Sequence, residues 1–256
     1  MRHSTVCEPI VTLPGGSISV MRDEVYRNNT EQIVDFAFSA EVAAVFPDMI
    51  RRSVPGYETM VPVTGLIAAR HLGNHGCAYD LGCSLGATTL AILQQNPNPD
   101  ISVVGIDSAE AMIEGARTAI TDPRASFTLQ DLRDADISGA KVVVLNLVLQ
   151  FIDPEERLAV IKQIREQLSE DGLLIVSEKV RHEDPVLHEL FDSTHLAWKQ
   201  ANGYSELEVS SKRSALENVM RIDTEEIHLN RFTEAGFSRK VQWYRCMNWA
   251  SFLVYP

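Results

Sequence analysis

Cys77-Ala-Tyr-Asp-Leu-Gly-Cys-Ser-Leu-Gly-Ala-Thr-Thr-Leu-Ala-Ile-Leu93 decides the fold of this chain. The run Cys77–Asp80 reads as a buried strand that ends in an acid. Gly82, Ser84 and Gly86 make a turn of small residues, and Thr88–Leu93 opens a helix. Small residues let backbone approach a ligand closely, and a helix N-terminus offers unpaired N–H groups. An acid just ahead of the turn suits an adenosyl amino acid and opposes a pyrophosphate. The loop therefore reads as a site for S-adenosylmethionine rather than for a dinucleotide. The dinucleotide fingerprint itself is not met, because Ser84 holds its middle glycine position.

The same residues also spell Gly82-x-Ser84-x-Gly86, the nucleophile elbow of serine hydrolases. That alternative needs several strands ahead of the elbow and a glycine-rich oxyanion segment. Only one strand precedes residue 82, and no such segment is visible. The downstream sequence favours the nucleoside. Ile101-Ser-Val-Val-Gly-Ile-Asp107 is a second buried strand ending in an acid, about 20 residues past the loop, the spacing of a strand–helix–strand unit. Asp107 is then placed beside the first turn, where a carboxylate accepts both ribose hydroxyls. The competing role for Asp107 is to cap the following helix.

Working outward, Asp35 to Met49 carries apolar residues at helical spacing, and Glu58 to about Leu72 forms a second helix. A third strand runs Ser126–Gln130 up to Asp131. A fourth runs Lys141–Asn146 and continues as an apolar run to Phe151. Continuous apolar strands imply a mostly parallel sheet covered on both faces. Asp153-Pro-Glu-Glu156 reads as a helix start, with Asp153 as N-cap and Glu156 bonding back. Leu173–Ser177 is the fifth strand. Residues 181–220 interrupt the alternation with a charged helical insert, and Thr224–Ala235 is a last helix stopped by Gly236. Val241–Cys246 and Asn248–Tyr255 close the sheet as two strands around a tight turn. The fold class is thus α/β, a doubly wound, mostly parallel sheet with an antiparallel C-terminal strand. Residues 1–34 form an extension, and 35–256 form one domain.

The strand ends present Asp80, Asp107, Asp131 and Asn146 along the carboxyl edge, where open α/β sheets bind ligands. An acid after the third strand receives an adenine amino group, with the Leu132 N–H on a ring nitrogen. Asn146 sits where the group nearest a reacting methyl is placed. It is not followed by Pro-Pro-Tyr, which argues against methylation of a base amino group. His188, Asp192 and His195 share one helical face. That spacing fits a metal site or a plain amphipathic surface, and no fourth ligand accompanies it. Cys83 has no base to ionise it and reads as a small residue filling space.

The composition excludes several classes. Net charge is −12, from 35 acids against 23 bases, with no basic stripe for gripping tRNA or DNA. No apolar run is long enough to cross a bilayer, so membrane contact is not expected and the cytoplasm is the expected location. Cys7, Cys77, Cys83 and Cys246 lack C-x-x-C spacing, so neither zinc nor disulfides are expected.

Four segments together resemble one family: Val45–Tyr57, the glycine loop, Val144–Phe151 and Ala201–Met220. It is the bacterial carboxy-S-adenosyl-L-methionine synthases, a branch of the class I methyltransferase fold, and the likeness runs from about Asp35 to Val254. The resemblance implies that S-adenosylmethionine and prephenate become the carboxylated sulfonium and phenylpyruvate. A separate transferase would then use the product on wobble uridines of tRNA, so this chain need not hold nucleic acid. It puts Tyr57, Gly82, Cys83, Ser84, Asp107, Ser108, Asp131, Leu132 and Asn146 on the nucleoside and its methionine part. It also puts Arg213 on the new carboxylate, reaching across a homodimer interface, with Tyr57 and Arg213 at the reacting centre. Ser108 stands where the family commonly has Asn, and Gln130 where it has Gly. An ordinary methyltransferase of a small anionic acceptor and a catalytically silent S-adenosylmethionine-binding subunit need the same pocket and remain as alternatives.

Overall fold

A computed structural model of the chain describes residue 23 and residues 38–206 and 219–256. The elements in order are α1 (Ala40–Ser53), α2 (Tyr57–Leu72), β1 (Gly76–Leu81), α3 (Ala87–Gln95), β2 (Ile101–Asp107), α4 (Glu110–Ala119), β3 (Ala125–Leu129), β4 (Ala140–Asn146), α5 (Arg157–Gln167), β5 (Leu168–Arg181), α6 (Pro185–Ala201), β6 (Asp223–Thr224), α7 (Glu225–Glu234), β7 (Arg239–Cys246) and β8 (Trp249–Tyr255).

The sheet runs β3-β2-β1-β4-β5-β8-β7, with short β6 also pairing to β5. Neighbours from β3 through β5 are parallel, whereas β8 lies antiparallel to both β5 and β7. Strand order reverses between β1 and β4, and a crevice opens there at the carboxyl ends.

Alternate residues of each strand feed two cores. Val143 and Leu145 of β4 pack with Ile161 and Ile164 of α5 and Phe232 of α7. Val142 and Val144 pack on the other face with Ala68 of α2, Ile92 of α3 and Ile113 of α4. This two-sided burial is why the central strands read as unbroken apolar runs. No described helix is long and apolar enough to cross a membrane.

Several boundaries move for identifiable reasons. α1 starts at Ala40, where Ser39 accepts from the Val42 N–H (3.4 Å), and it continues through Ser53, beyond the expected Met49. The run expected to extend β4 to Phe151 breaks at Leu147, whose φ is +63°, and becomes a 3₁₀ turn over Leu149–Phe151. Glu178 forces the break: its carboxylate accepts from the N–H groups of Val148 (3.0 Å), Leu149 (2.7 Å) and Gln150 (3.2 Å). α5 begins at Arg157 rather than Asp153; the Asp153 carboxylate accepts a long bond from Glu155 N–H (3.4 Å) and pairs with Arg221 (3.6 Å). Glu156 turns to Arg133 instead of back to the helix (2.7 Å). β5 spans 14 residues, far longer than Leu173–Ser177, because β4, β6 and β8 all pair with it. At the last helix Thr224 caps by accepting from Ile227 N–H (3.2 Å), and Gly236 leaves with φ +92°. Of the helical insert, α6 is described; residues 207–218, which include Lys212 and Arg213, lie outside the described residues, as does the extension 1–34 apart from Asp23. Cys77, Cys83 and Cys246 are free thiols, and Cys7 is likewise outside.

Candidate active site

The loop after β1 turns by placing three residues in the left-handed region, Gly82 (φ +72°), Ser84 (φ +50°) and Gly86 (φ +80°). Gly82 is needed for space as well: a Cβ there would lie 2.5 Å from Val148 Cγ2. The Gly82 and Cys83 N–H groups donate to the Ile106 carbonyl (2.7 and 3.0 Å), which fastens the loop to β2. Asp107, at the end of β2, accepts from Ser84 N–H through Oδ2 (2.8 Å) and from Ala109 N–H through Oδ1 (2.9 Å). Its carboxylate therefore ties the loop and starts α4, and it lines the cavity. Burial raises its pKa, opposed by the N–H donors of Ala109, Ser84 and Ser108.

Asp80, the acid ahead of the turn, lies beneath the loop. It is 2% exposed, and Oδ2 accepts from both Thr89 N–H (3.0 Å) and Thr89 Oγ1 (2.8 Å). It thus caps α3 while closing the cavity floor. Burial pushes its pKa to about 6, against the Thr89 bonds and with help from Asp107.

Asp131 caps the 3₁₀ turn Leu132–Asp134, accepting from Arg133 N–H (2.9 Å), and it also pairs with the Arg133 guanidinium (2.6 Å). That guanidinium holds its carboxyl below the usual range. Asn146 donates from Nδ2 to Thr88 Oγ1 (2.9 Å), while its Oδ1 is buried with no hydrogen-bond partner among the described residues. Tyr57 opens α2. Its hydroxyl pKa is pushed to about 12 by burial and by Asp80, with Arg51 pulling the other way.

These residues, with Gly82, Cys83, Ser84, Ser108 and Leu132, line one cavity of about 950 Å³. The structure therefore brings together every sequence-predicted site residue except Arg213, which lies outside the described residues. Two alternatives fail on geometry. Ser84 Oγ bonds to Met112 Sδ (3.4 Å), and among the described residues no histidine bonds to it, so the nucleophile–base pair that the elbow reading needs is not built there. The Cys83 thiol is driven further from ionisation by burial and by the charges of Asp80 and Asp107. It fills space against Gly105, where a Cβ would come within 2.9 Å of its sulfur.

Sequence reading missed the far wall. Lys179 of β5, Trp249 of β8 and Lys199 of α6 line the same cavity, as do His188, Asp192 and His195. His195 Nε2 sits 2.8 Å from the Ser53 carbonyl, and its ring meets Trp249 edge-on at 4.7 Å. Asp192 pairs with Lys179 (3.8 Å). Among the described residues no cluster of His, Cys, Asp and Glu is arranged to hold a metal. The signal for Lys179 was its place two residues beyond Ser177, the register partner of Asn146, on the same strand face.

The reversed strand order, the left-handed glycine turn and the acid closing β2 define a class I S-adenosylmethionine-dependent methyltransferase fold. A family model described as a methyltransferase domain matches residues 78–172. An O-methyltransferase family protein from Burkholderia thailandensis shares this fold at TM-score 0.62 and 19% identity, over 85% of this chain and 60% of that one. Carboxy-S-adenosyl-L-methionine synthases of Shewanella oneidensis and Shewanella baltica are 44% identical to this chain, over 93% of it and 99% of their own lengths. The chain belongs to the carboxy-S-adenosyl-L-methionine synthase family, a family of transferase-type enzymes built on this fold.

Proposed function

We propose that the chain converts S-adenosylmethionine and prephenate into carboxy-S-adenosylmethionine and phenylpyruvate, as a cytoplasmic homodimer whose product a separate transferase uses on tRNA wobble uridines. The observation that carries this reading is near full-length similarity to synthases of that product, joined to a cavity in which Asp80, Asp107, Asp131 and Asn146 converge. Asp107 accepts the ribose on lone pairs left over from its bonds with backbone N–H groups such as those of Ser84 and Ala109. Ser108 flanks it. Asp131 and the Leu132 N–H take the adenine edge, which requires Arg133 to swing from Asp131 toward its other partner, Glu156. Gly82, Cys83 and Ser84 run along the methionine part. Asn146 Oδ1 and Tyr57 flank the sulfonium methyl.

The chemistry balances without a strong base from the enzyme. Prephenate releases carbon dioxide and hydroxide as its ring becomes aromatic, leaving phenylpyruvate. Hydroxide takes a proton from the sulfonium methyl and becomes water. The resulting ylide carbon attacks carbon dioxide, forming the C–C bond and the new carboxylate. The protein's tasks are to position both substrates, exclude water and stabilise the carboxylate. The last task falls to Arg213, supplied by the other subunit of the dimer.

Arg213→Ala tests the reading. Losing one partner of a desolvated charge pair costs about 2–5 kcal/mol, so affinity for the carboxylated ligand falls by that amount. Plain S-adenosylmethionine changes by less than about 1 kcal/mol, the scale of an exposed charge interaction. Calorimetry reads both, and mass spectrometry follows product formation from prephenate. Equal losses for both ligands refute the carboxylate role, and a methylated acceptor in place of the carboxylated sulfonium refutes the reaction.

A further inference from the structure

One guanidinium occupies both oxygens of Asp131. Arg133 donates from Nε to Oδ1 (3.0 Å) and from Nη2 to Oδ2 (2.6 Å), and its backbone N–H reaches the same Oδ1 (2.9 Å). The remaining arm, Nη1, donates to Glu156 Oε2 (2.7 Å). Asp131, Arg133 and Glu156 all line the cavity, and their side chains are 35–48% exposed, so each pairing is weak enough to be exchanged. Asp153, on the same cavity, pairs instead with Arg221 (3.6 Å). Glu156 precedes α5 but makes no side-chain cap bond to it, so its carboxylate is engaged by Arg133 and not by the helix.

This arrangement treats two kinds of purine in opposite ways. A carboxylate only accepts hydrogen bonds, and a guanidinium only donates them. The amino group at C6 of adenine is a donor, so it finds an acceptor at Asp131 only when Arg133 yields one of the two oxygens. An oxo group at C6 is an acceptor. It is repelled by a bare carboxylate but is received by an arginine still lying on that carboxylate. Arg133 has about five N–H donors, of which Nε, Nη1 and Nη2 each use one, so spare donors remain. With the two groups 2.6 Å apart, a C6 substituent that reaches Asp131 also meets Arg133.

We propose that Arg133 and Glu156 together set the choice between 6-amino and 6-oxo purine nucleosides at this site. Arg133 on Asp131 opposes adenine, and Glu156, by receiving the guanidinium, frees Asp131 for the amino group. This rests on the placement of the adenine edge at Asp131 and adds the residues that govern base specificity there. A ligand shifts such an equilibrium only by its differential affinity for the two positions, and the C6 substituent supplies that difference. The Leu132 N–H adds a preference for adenine in every variant, because N1 of a 6-oxo purine carries hydrogen. The contribution of Arg133 and Glu156 is therefore read as a change in the ratio of two affinities, and a merely structural role leaves that ratio in place.

The test compares Arg133→Met, Glu156→Gln, the double variant and, as a charge-loss control at an exposed position of α5, Lys162→Met. Calorimetry measures S-adenosylhomocysteine on each, and competition against it measures S-inosylhomocysteine, the same ligand with an oxo group at C6. Arg133→Met binds S-adenosylhomocysteine about 2–5-fold more tightly, the scale of an exposed ion pair, and S-inosylhomocysteine more weakly, so the ratio rises. Glu156→Gln binds S-adenosylhomocysteine about 2–5-fold more weakly and S-inosylhomocysteine no more weakly, so the ratio falls. In the Arg133→Met background Glu156→Gln has no further effect, because the guanidinium it acts through is gone. Lys162→Met keeps the parent's ratio. A ratio that falls or stays level in Arg133→Met overturns the proposal, as does a Glu156→Gln effect that persists in the double variant. A parent that prefers S-adenosylhomocysteine while its ratio ignores both substitutions overturns the proposal alone. A parent with no preference between the two ligands refutes the placement of adenine at Asp131, and the proposal falls with it.

Discussion

Replacing Asp107 by Asn probes the site without changing its shape. In the parent, the two carboxylate oxygens accept from Ser84 and Ala109 N–H at 2.8 and 2.9 Å. A carboxylate offers about four lone-pair sites, so after its backbone N–H donors the remaining capacity is left for the ribose. Asparagine keeps one oxygen but turns an NH₂ toward the other amide, so one backbone N–H is stranded and one ribose hydroxyl loses its acceptor. A hydrogen bond to a charged group contributes about 1.5–3 kcal/mol, so S-adenosylhomocysteine binding weakens by about 2–3 kcal/mol, or roughly 30–150-fold. The stranded N–H lowers apo stability separately, by about 1–3 kcal/mol. Calorimetry reads the first effect and urea unfolding the second. The pH dependence provides an independent check. Burial holds the apo Asp107 pKa above its ordinary value. Ribose hydroxyls donate to the ionised form, so ligand affinity in the parent rises with pH through that raised pKa and then levels. In Asp107→Asn this component of the slope disappears. A folded Asp107→Asn protein that binds S-adenosylhomocysteine within two-fold of the parent, with the parent's pH slope, refutes the assignment.

Two further outcomes follow from the same geometry. Gly82→Ala puts a Cβ 2.5 Å from Val148 Cγ2 at φ +72°. The left-handed backbone alone costs about 1–2 kcal/mol, so both the melting temperature and the affinity for S-adenosylhomocysteine fall, and a variant equal to the parent in both measurements removes the close approach from the argument. For Glu178, burial outweighs the three N–H donors from Leu149, Val148 and Gln150 and raises the pKa from 4.5 to about 7. The folded state then holds its proton longer than the unfolded chain. The group's stabilising contribution is complete below about pH 4.5 and is lost as pH rises to about 7, by roughly 3 kcal/mol. Urea unfolding between pH 4.5 and 8 should show that the stability difference between parent and Glu178→Gln shifts by this amount, and parallel curves speak against it.

The parts of the fold legible in the sequence were those fixed by local chemistry. Asp80, the Gly82–Gly86 turn and Asp107 announce a strand–turn–helix–strand unit, and the structure builds it with three left-handed residues and two carboxylate clamps. What sequence could not resolve were competitions between distant groups. The apolar run after Asn146 satisfies every local criterion for a strand, yet Glu178, about 30 residues later, captures its N–H groups and folds it into the cavity wall. Asp153 loses the start of α5 because Glu156 is engaged by Arg133, a partner 23 residues away. The same limit explains the far side of the site. His188, Asp192 and His195 were visible as a helical face, but whether that face meets solvent, a metal or a ligand depends on what packs opposite. The structure sets Lys179 and Trp249 there. Spacing along one element thus announces the acids of the cavity, since Asp80, Asp107 and Asp131 each lie at or close to the end of a strand. The opposite wall, with Lys179 held between Asp192 and Trp249, exists only once β5, β8 and α6 are assembled, so its chemistry emerges from tertiary contacts and not from any motif.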